Sequence, residues 1–552
     1  MPRSTESRHR RRTGQRVACR PLHLPGWPAA LSPCRESGQA RCATRWPSSR
    51  RWGRPARWLL EGMAAIEGNL VTLDLAAPEI RQHRLVRRPQ CPACVEPARG
   101  VATGPVMLTS RPKSFTADGG YRVRSPQQTL DRFGHQVSPL TGVVRELRRF
   151  PTDTDLITVY AGMSPGSATP TSLAALRRDH SAGSAGKGRS DAQARASALC
   201  EAIERLSGSY TGEEPRVRGT WAELRDQAVY PADLVQVSDA QYAAREAWNR
   251  EHSVFAWVPE RFDESRAIGW TPAWSLTEDR AVYLPSAFCW YDYPTEHGHR
   301  FCVGDSNGNA SGNNPEEAIV QGFMELVERD SVAIWWYNRL RRPAVDLDSF
   351  DDPYLRALLA EYARRGREVW ALDLTTDLGV PVYAAVSRAL HGPERIVQGY
   401  GAHCDPRIAL SRALTELNLM YALVTGGPLD FDHDPDNEHW YQAATVANQP
   451  YLRPDPALPA TTLSAAGGWH SADLRDDVRH CAELVRRHGM RMLVLDQTRP
   501  DLELSVVKVV VPGLRHFWAR FAPGRLYDVP VAMGWLAQPT LETELNPLPV
   551  SS

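Results

Sequence analysis

The sequence predicts a mixed α/β protein, with helices packed on mixed sheets, and two observations carry that reading. From residue 353 onward, helical-period stretches alternate with short strand-like runs: PYLRALLAEYARRG, REVWALDLT, GVPVYAAVSRA, IALSRALTELNLMYALV (408–424), a helix near 471–488, then RMLVLD (491–496) and SVVKVVV (505–511). Upstream, ASALCEAIER (196–205) and QGFMELVERD (321–330) read as amphipathic helices with apolar backs.

The chain has 552 residues, 42% hydrophobic and 23% charged, room for one large domain with additions or about two to four smaller ones. Its net charge of +1 hides an asymmetry. Residues 1–60 carry 14 arginines, no lysine and two acids, which leaves residues 61–552 at −11. That arginine-rich head has no hydrophobic periodicity and no apolar segment after Arg10, Arg11 and Arg12, so residues 1–62 are expected to be disordered or a non-native extension, with Met63 as an alternative start. No stretch of about 18 apolar residues occurs, so neither a membrane span nor a membrane partner is expected, and no nucleic-acid partner either. Ten cysteines scattered without a secretory signal predict reduced thiols and a cytoplasmic protein.

Residues 67–88 read as two short strands around a turn and lead into PQCPACVEP, where Cys91 and Cys94 have half of a zinc-site spacing without a second CxxC. From 117 to 134 a glycine turn leads into a helix start, and strands follow near 155–161. DHSAGSAGKGRSD (179–191) reads as a small-residue loop opening the first acidic helix. It is not a P-loop, because Lys187 is followed by Gly188 where a hydroxyl residue is needed, although its backbone N–H groups could cradle phosphate. After a Trp-rich, strand-rich middle (254–301), a second polar loop, GDSNGNASGNN (304–314), opens the second acidic helix. The tail TELNPLPVSS is predicted to be neither helical nor sheet-central.

At 100° per residue, Ser197, Glu201, Glu204 and Arg205 share one sector of the first helix, opposite Leu199, Ala202, Ile203 and Leu206. On the second, Glu317, Gln321, Glu325, Glu328 and Arg329 share a face, with Ile319, Phe323, Leu326 and Val327 behind. Ser190 with Gln193 fits a capping box, and Asn314-Pro315-Glu316-Glu317 reads as N-cap, proline and acidic first turn, so Glu317 could simply cap its helix. Taken alone, such faces fit a solvated surface with i,i+4 pairing equally well. Repetition of loop, cap and acidic helix favours the second reading: carboxylates stacked on one face repel, and a hard cation such as magnesium with nucleotide phosphates offsets that repulsion. On the helix at 408–424, Arg412, Thr415 and Glu416 share a face. Cys200, between alanine-leucine and glutamate, reads as a small buried hydrophobe rather than a nucleophile.

Three segments, 184–205, 312–346 and 512–530, together resemble the YcaO family, specifically the cyclodehydratases that make azol(in)e-containing ribosomal peptides, over roughly residues 110–549. The resemblance implies the YcaO fold for 109–552. It also implies an enzyme that uses ATP and Mg2+ to phosphorylate a peptide amide oxygen after attack by Cys, Ser or Thr, giving thiazoline or oxazoline. It carries metal and phosphate roles onto Glu201, Glu204, Asn313, Glu317, Glu325, Glu328 and Arg329, the five glutamates being the implied Mg2+ ligands. Phosphate contacts are implied for Arg122 and Thr129, the former in place of a family lysine, and for Arg412 and Arg515, while Ser184 and Lys187 fall in the loop beside the nucleotide. Residues 63–108 match only the remnant of an E1-like partner domain containing CPAC, with Zn2+ at Cys91 and Cys94 as a further expectation. The implied partners are a precursor peptide, a separate leader-binding E1-like protein, a flavin-dependent azoline dehydrogenase and a second copy in a homodimer.

The chain departs from the family at its end, where PLPVSS places Ser551 in the position of the last proline of a Pro-x-Pro-x-Pro tail. Two alternatives accompany the cyclodehydratase reading: thioamidation or another backbone-amide modification on the same helices, and a non-catalytic docking paralogue.

Overall fold

A computed structural model describes residues 68–74, 79–88, 104–117, 119–163, 183–253, 255–295, 298–426 and 435–550. The chain separates into two units, Met1–Ala98 and Arg99–Ser552. In the first, β1 (Asn69–Asp74) and β2 (Glu79–Arg84) form an antiparallel hairpin, as the reading of 67–88 expects. Cys91 and Cys94 lie outside the described residues.

The second unit opens with a small hairpin, β3 (Phe115–Ala117) and β4 (Gly120–Arg122), followed by α1 (Pro126–Phe133). Ser125 and Gln128 close a full capping box at the start of α1. Next come β5 (Glu146–Arg149), β6 (Thr158–Met163) and β7 (Gly183–Gly188), an antiparallel sheet on which α2 (Asp191–Ser207) lies. Ser190 caps α2 by accepting from the Gln193 amide, while the Gln193 side chain turns toward Gly119 and Gly188 instead of back to the cap.

The central sheet is β10 (Arg280–Pro285), β9 (Ile268–Ser275), β15 (Leu493–Asp496), β16 (Ser505–Val510) and β11 (Asn309–Gly312) in that order, with β8 (Val217–Gly219) also on β9. A third sheet, β12 (Arg367–Asp373), β13 (Val382–Ala389) and β14 (Val397–Ala402), is a plain antiparallel meander. Between these sheets runs α3 (Pro315–Tyr337), packed on β11, β14 and β16. Of its 23 residues 18 are buried, and the rest are Pro315, Gln321, Glu325, Glu328 and Arg329. Thus α3 is a core helix whose only polar window is the acidic face. Its continuous apolar run, VAIWWY (332–337), packs Trp335, Trp336 and Tyr337 into the largest hydrophobic cluster.

The helix α4 (Pro353–Arg364) covers β12, and α5 (Pro406–Gly426) lies along β13 and β14. Then α6 (Leu474–Arg487) and α7 (Arg525–Ala532) pack on α3. Beyond a single 3-10 turn at Glu542–Glu544, the described part of the tail, to residue 550, is neither helix nor strand, and it returns to α3. Asn546 donates its backbone N–H to the Tyr337 carbonyl (2.8 Å), and the Trp336 indole donates to the Leu548 carbonyl (2.7 Å).

One stretch departs from its sequence reading. Residues 183–188 are not loop but strand, and their small residues reflect packing. A Cβ at Gly186 would fall inside the contact radius of the Ala194 carbonyl oxygen and the Ala198 nitrogen, so β7 sits directly on the α2 backbone. Gly186→Ala forces strand and helix apart, and we expect a loss of roughly 1–3 kcal/mol in urea unfolding. The GDSNGNASGNN loop is likewise interrupted by β11, which pairs with β16.

Candidate active site

Strand periodicity decides which residues of β7 reach the interior. Gly183, Ala185 and Lys187 line a cavity of about 510 Å³, while Ser184, Gly186 and Gly188 face α2. The cavity is walled by α2 (Cys200, Glu201, Glu204, Arg205), by α3 (Glu317, Gln321, Glu325, Glu328, Arg329) and by α5 (Arg412, Glu416). The β4–α1 segment closes it with Arg122, Arg124 and Thr129, and β11 and its end with Ser311 and Asn313. The two acidic faces therefore meet across one space, as their apolar backs predict.

Eleven of the thirteen sequence-selected residues come together here: Arg122, Thr129, Lys187, Glu201, Glu204, Asn313, Glu317, Glu325, Glu328, Arg329 and Arg412. Two do not. Ser184 is buried and donates its hydroxyl to the Ala198 carbonyl (2.8 Å), because it occupies the helix-facing register of β7. Arg515 is 1% exposed and turns under the 522–524 turn, donating to the carbonyls of Ala522 and Pro523. Its motif fixes its place in the chain but not the direction of its side chain.

The carboxylates differ in how far the protein satisfies them. Glu201 takes a bidentate hydrogen bond from Arg205 (3.0 and 2.8 Å) and a weaker one from the Ala185 amide (3.3 Å). Glu317 accepts from the Val123 amide (2.7 Å), the Asn313 amide and side chain (2.9 and 3.1 Å) and the Asn314 side chain (3.4 Å). Its acceptor sites are thus filled, and it is fully buried. In this arrangement Glu317 fixes the Arg122 and Asn313 segments rather than standing open to a metal, a correction to its implied ligand role. Its backbone N–H also takes the Asn314 cap (3.0 Å).

Glu204, Glu325 and Glu328 are less well served. Among the described residues Glu204 accepts only from Ser311 (2.9 Å), and burial, reinforced by Glu325 and Glu201, pushes its carboxyl up to about 8. Burial and then Glu416 push Glu328 up to about 8 as well, with the Ala402 amide (3.1 Å) as its donor. Burial raises Glu325 too; its Oε1 lies 2.8 Å from Arg329 without an aligned hydrogen bond. Three crowded carboxylates, of which only Glu325 has an ion-pair partner among the described residues, are what a cation would relieve. Among the described residues, no three acidic, His or Cys side chains already converge as metal ligands.

The basic side is organised by Gln321, whose Oε1 accepts from Arg412 (2.6 Å) and Arg122 (3.4 Å). Lys187 pairs with Glu416 (2.9 Å). Gln321 and Glu416 were placed on the right helix faces by periodicity, but nothing local assigned them to the site; Arg124 gave no signal beyond its spacing from Arg122. Cys200 also lines the cavity, and burial pushes its thiol up to about 12, which disfavours the thiolate a nucleophile would need.

Residues 185–515 match the family profile described as YcaO cyclodehydratase, ATP- and Mg2+-binding. The chain belongs to the YcaO family. Among solved structures, a heterocyclase in complex with substrate and cofactor is 47% identical with a TM-score of 0.82, covering 88% of this chain and 64% of that one. The heterocyclase TruD is 43% identical with a TM-score of 0.70, over 90% and 63% of the two chains. This YcaO chain therefore spans just under two thirds of the length of each heterocyclase. A YcaO protein from Methanopyrus kandleri, solved with AMPPCP and Mg2+, shares the fold at 22% identity and a TM-score of 0.54, over 74% of this chain and 96% of that one. No helix among the described residues is long and apolar enough to cross a membrane.

Proposed function

We propose that this YcaO chain uses ATP and magnesium to activate backbone amides of a ribosomally made precursor peptide, phosphorylating the amide oxygen so that a neighbouring Cys, Ser or Thr closes to thiazoline or oxazoline. The observation that carries the reading is the juxtaposition of Glu204, Glu325 and Glu328, their carboxyls raised by burial, with Arg122, Arg412 and Lys187 in one cavity. When bound, magnesium would neutralise the carboxylates and the charge of the nucleotide phosphates. Glu201, Glu204, Glu325 and Glu328 are the residues to hold it. Arg122 and Arg412, set side by side by Gln321, offer their forks to phosphate oxygens, with Thr129 and Asn313 beside them. Positioning and charge neutralisation dominate phosphoryl transfer, so no protein nucleophile is needed. A separate leader-binding E1-like protein to deliver the peptide, a flavin-dependent dehydrogenase to oxidise azolines and a homodimeric state belong to the same proposal.

Two measurements test it. Mg2+ with AMPPCP should raise the thermal midpoint, and AMPPCP with EDTA should not. With peptide and partner, ATP consumption should accompany loss of one water per ring. Exchange of oxygen for sulfur would replace this reading by thioamidation, and peptide binding without ATP turnover would leave a docking role.

A further inference from the structure

Six cations line the cavity: Arg122, Arg124, Lys187, Arg205, Arg329 and Arg412. Five are already held. Arg205 is bidentate on Glu201, Lys187 is on Glu416, and Arg329 lies between Glu325 and the Phe517 ring. Arg412 is on Gln321 and two carbonyls, and Arg122 on the Tyr121 carbonyl and Gln321 with Glu317 nearby. Arg124 differs. Among the described residues it makes no hydrogen bond, ion pair or ring contact, and its Nε is sealed from solvent with no acceptor in reach. It immediately precedes Ser125, the N-cap of α1, so the positive end of that helix adds to its charge, and Pro126 and Thr129 of α1 line the same cavity.

A guanidinium with no partner among the described residues, at the wall of a cavity lined by six carboxylates, is free to take an anion the protein does not supply. An acidic peptide side chain would meet the repulsion of those carboxylates unaided, whereas a nucleotide brings magnesium with it. The terminal phosphate carries the largest charge of a nucleoside triphosphate, and the planar arginine fork matches its oxygens pairwise. We propose that Arg124 contacts the terminal phosphoryl group of the bound nucleotide, as an arginine supplied in cis to the group that is transferred. The proposal rests on the ATP reading of the cavity.

Calorimetric titration of wild type, Arg124→Gln and Arg124→Lys with Mg2+–AMPPCP and with Mg2+–ADP tests it. Because Arg124 has no partner among the described residues, the variants should keep the wild-type thermal midpoint, which is measured alongside. We expect Arg124→Gln to weaken AMPPCP by about 10-fold or more, the scale of one charge-assisted contact. Mg2+–ADP affinity should change by less than about threefold, and Arg124→Lys should recover part of the loss. Equal losses for both nucleotides would place Arg124 on the inner phosphates, and no loss for either would leave it to the peptide; each overturns the proposal. If wild type binds neither nucleotide, the ATP reading itself fails.

Discussion

Glu328→Gln and Glu204→Gln should each abolish ATP turnover, by about 10²–10³-fold or more, while the folded protein becomes no less stable. The two halves of this expectation have one cause. Both carboxyls are pushed up to about 8 by burial and by neighbouring glutamates, so the folded protein without metal carries them at a cost. Glutamine keeps the shape and removes the charge that magnesium would meet. The sign of the pH dependence follows: a carboxyl raised in the folded state binds more protons there than in the unfolded chain, between its ordinary value near 4.3 and about 8. Metal-free protein should therefore lose stability as pH rises through that window, and each glutamine variant should flatten the slope. Melting curves from pH 5 to pH 8 without metal, with turnover assayed alongside, check both halves. Unfolding of the variants with unchanged specific activity of the folded fraction would make the glutamates structural.

The parts of the site that were legible in the sequence are those whose information is local. A 3.6-residue period places Glu201 with Glu204, and Glu317, Gln321, Glu325, Glu328 and Arg329, on single faces, and the apolar backs say where those faces cannot point. Ser190 and Asn314 announce helix starts through equally local signals. What stayed hidden depends on partners distant in sequence. β7 contains no β-branched residue, because its glycines are selected by contact with α2, so it resembled a loop. Ser184 fails as a site residue because a strand sends alternate side chains to opposite sides, and Arg515 because its guanidinium folds back on carbonyls seven and eight residues later. Glu317, an implied metal ligand that could equally serve its own helix start, has its carboxylate taken up by Val123, Asn313 and Asn314.

Arg525→Ala should be the most destabilising single substitution considered, at about 3–5 kcal/mol, the scale for breaking a buried ion pair from one side. The Arg525 guanidinium bridges two carboxylates. It meets Asp330 through Nε (3.0 and 3.1 Å) and a terminal nitrogen (2.7 Å), and Asp377 through both terminal nitrogens (3.0 and 2.8 Å). Asp330 is wholly buried on α3 next to Arg329, and among the described residues its one other donor is the Arg515 amide (2.8 Å). Removing Arg525 leaves that charge facing a single N–H, a cost that α3 and α7 can relieve only by separating. The double variant Arg525→Ala/Asp330→Asn should accordingly lose less than Arg525→Ala alone, since no buried charge is stranded; urea midpoints for the four-member cycle measure the coupling. Asp377 adds a pH signature. Although burial pushes its carboxyl up, the Arg525 contacts outweigh that and hold it below its ordinary value. Its contribution is thus present above the unfolded value near 3.9 and lost as pH falls toward the folded one. Arg525→Ala should erase that acid-limb loss, and an acid limb unchanged by the substitution would show that Arg525 does not hold the pair. Because the anchored turn of α3 also carries Glu325, Glu328 and Arg329, the same variant should lower nucleotide affinity without touching the cavity.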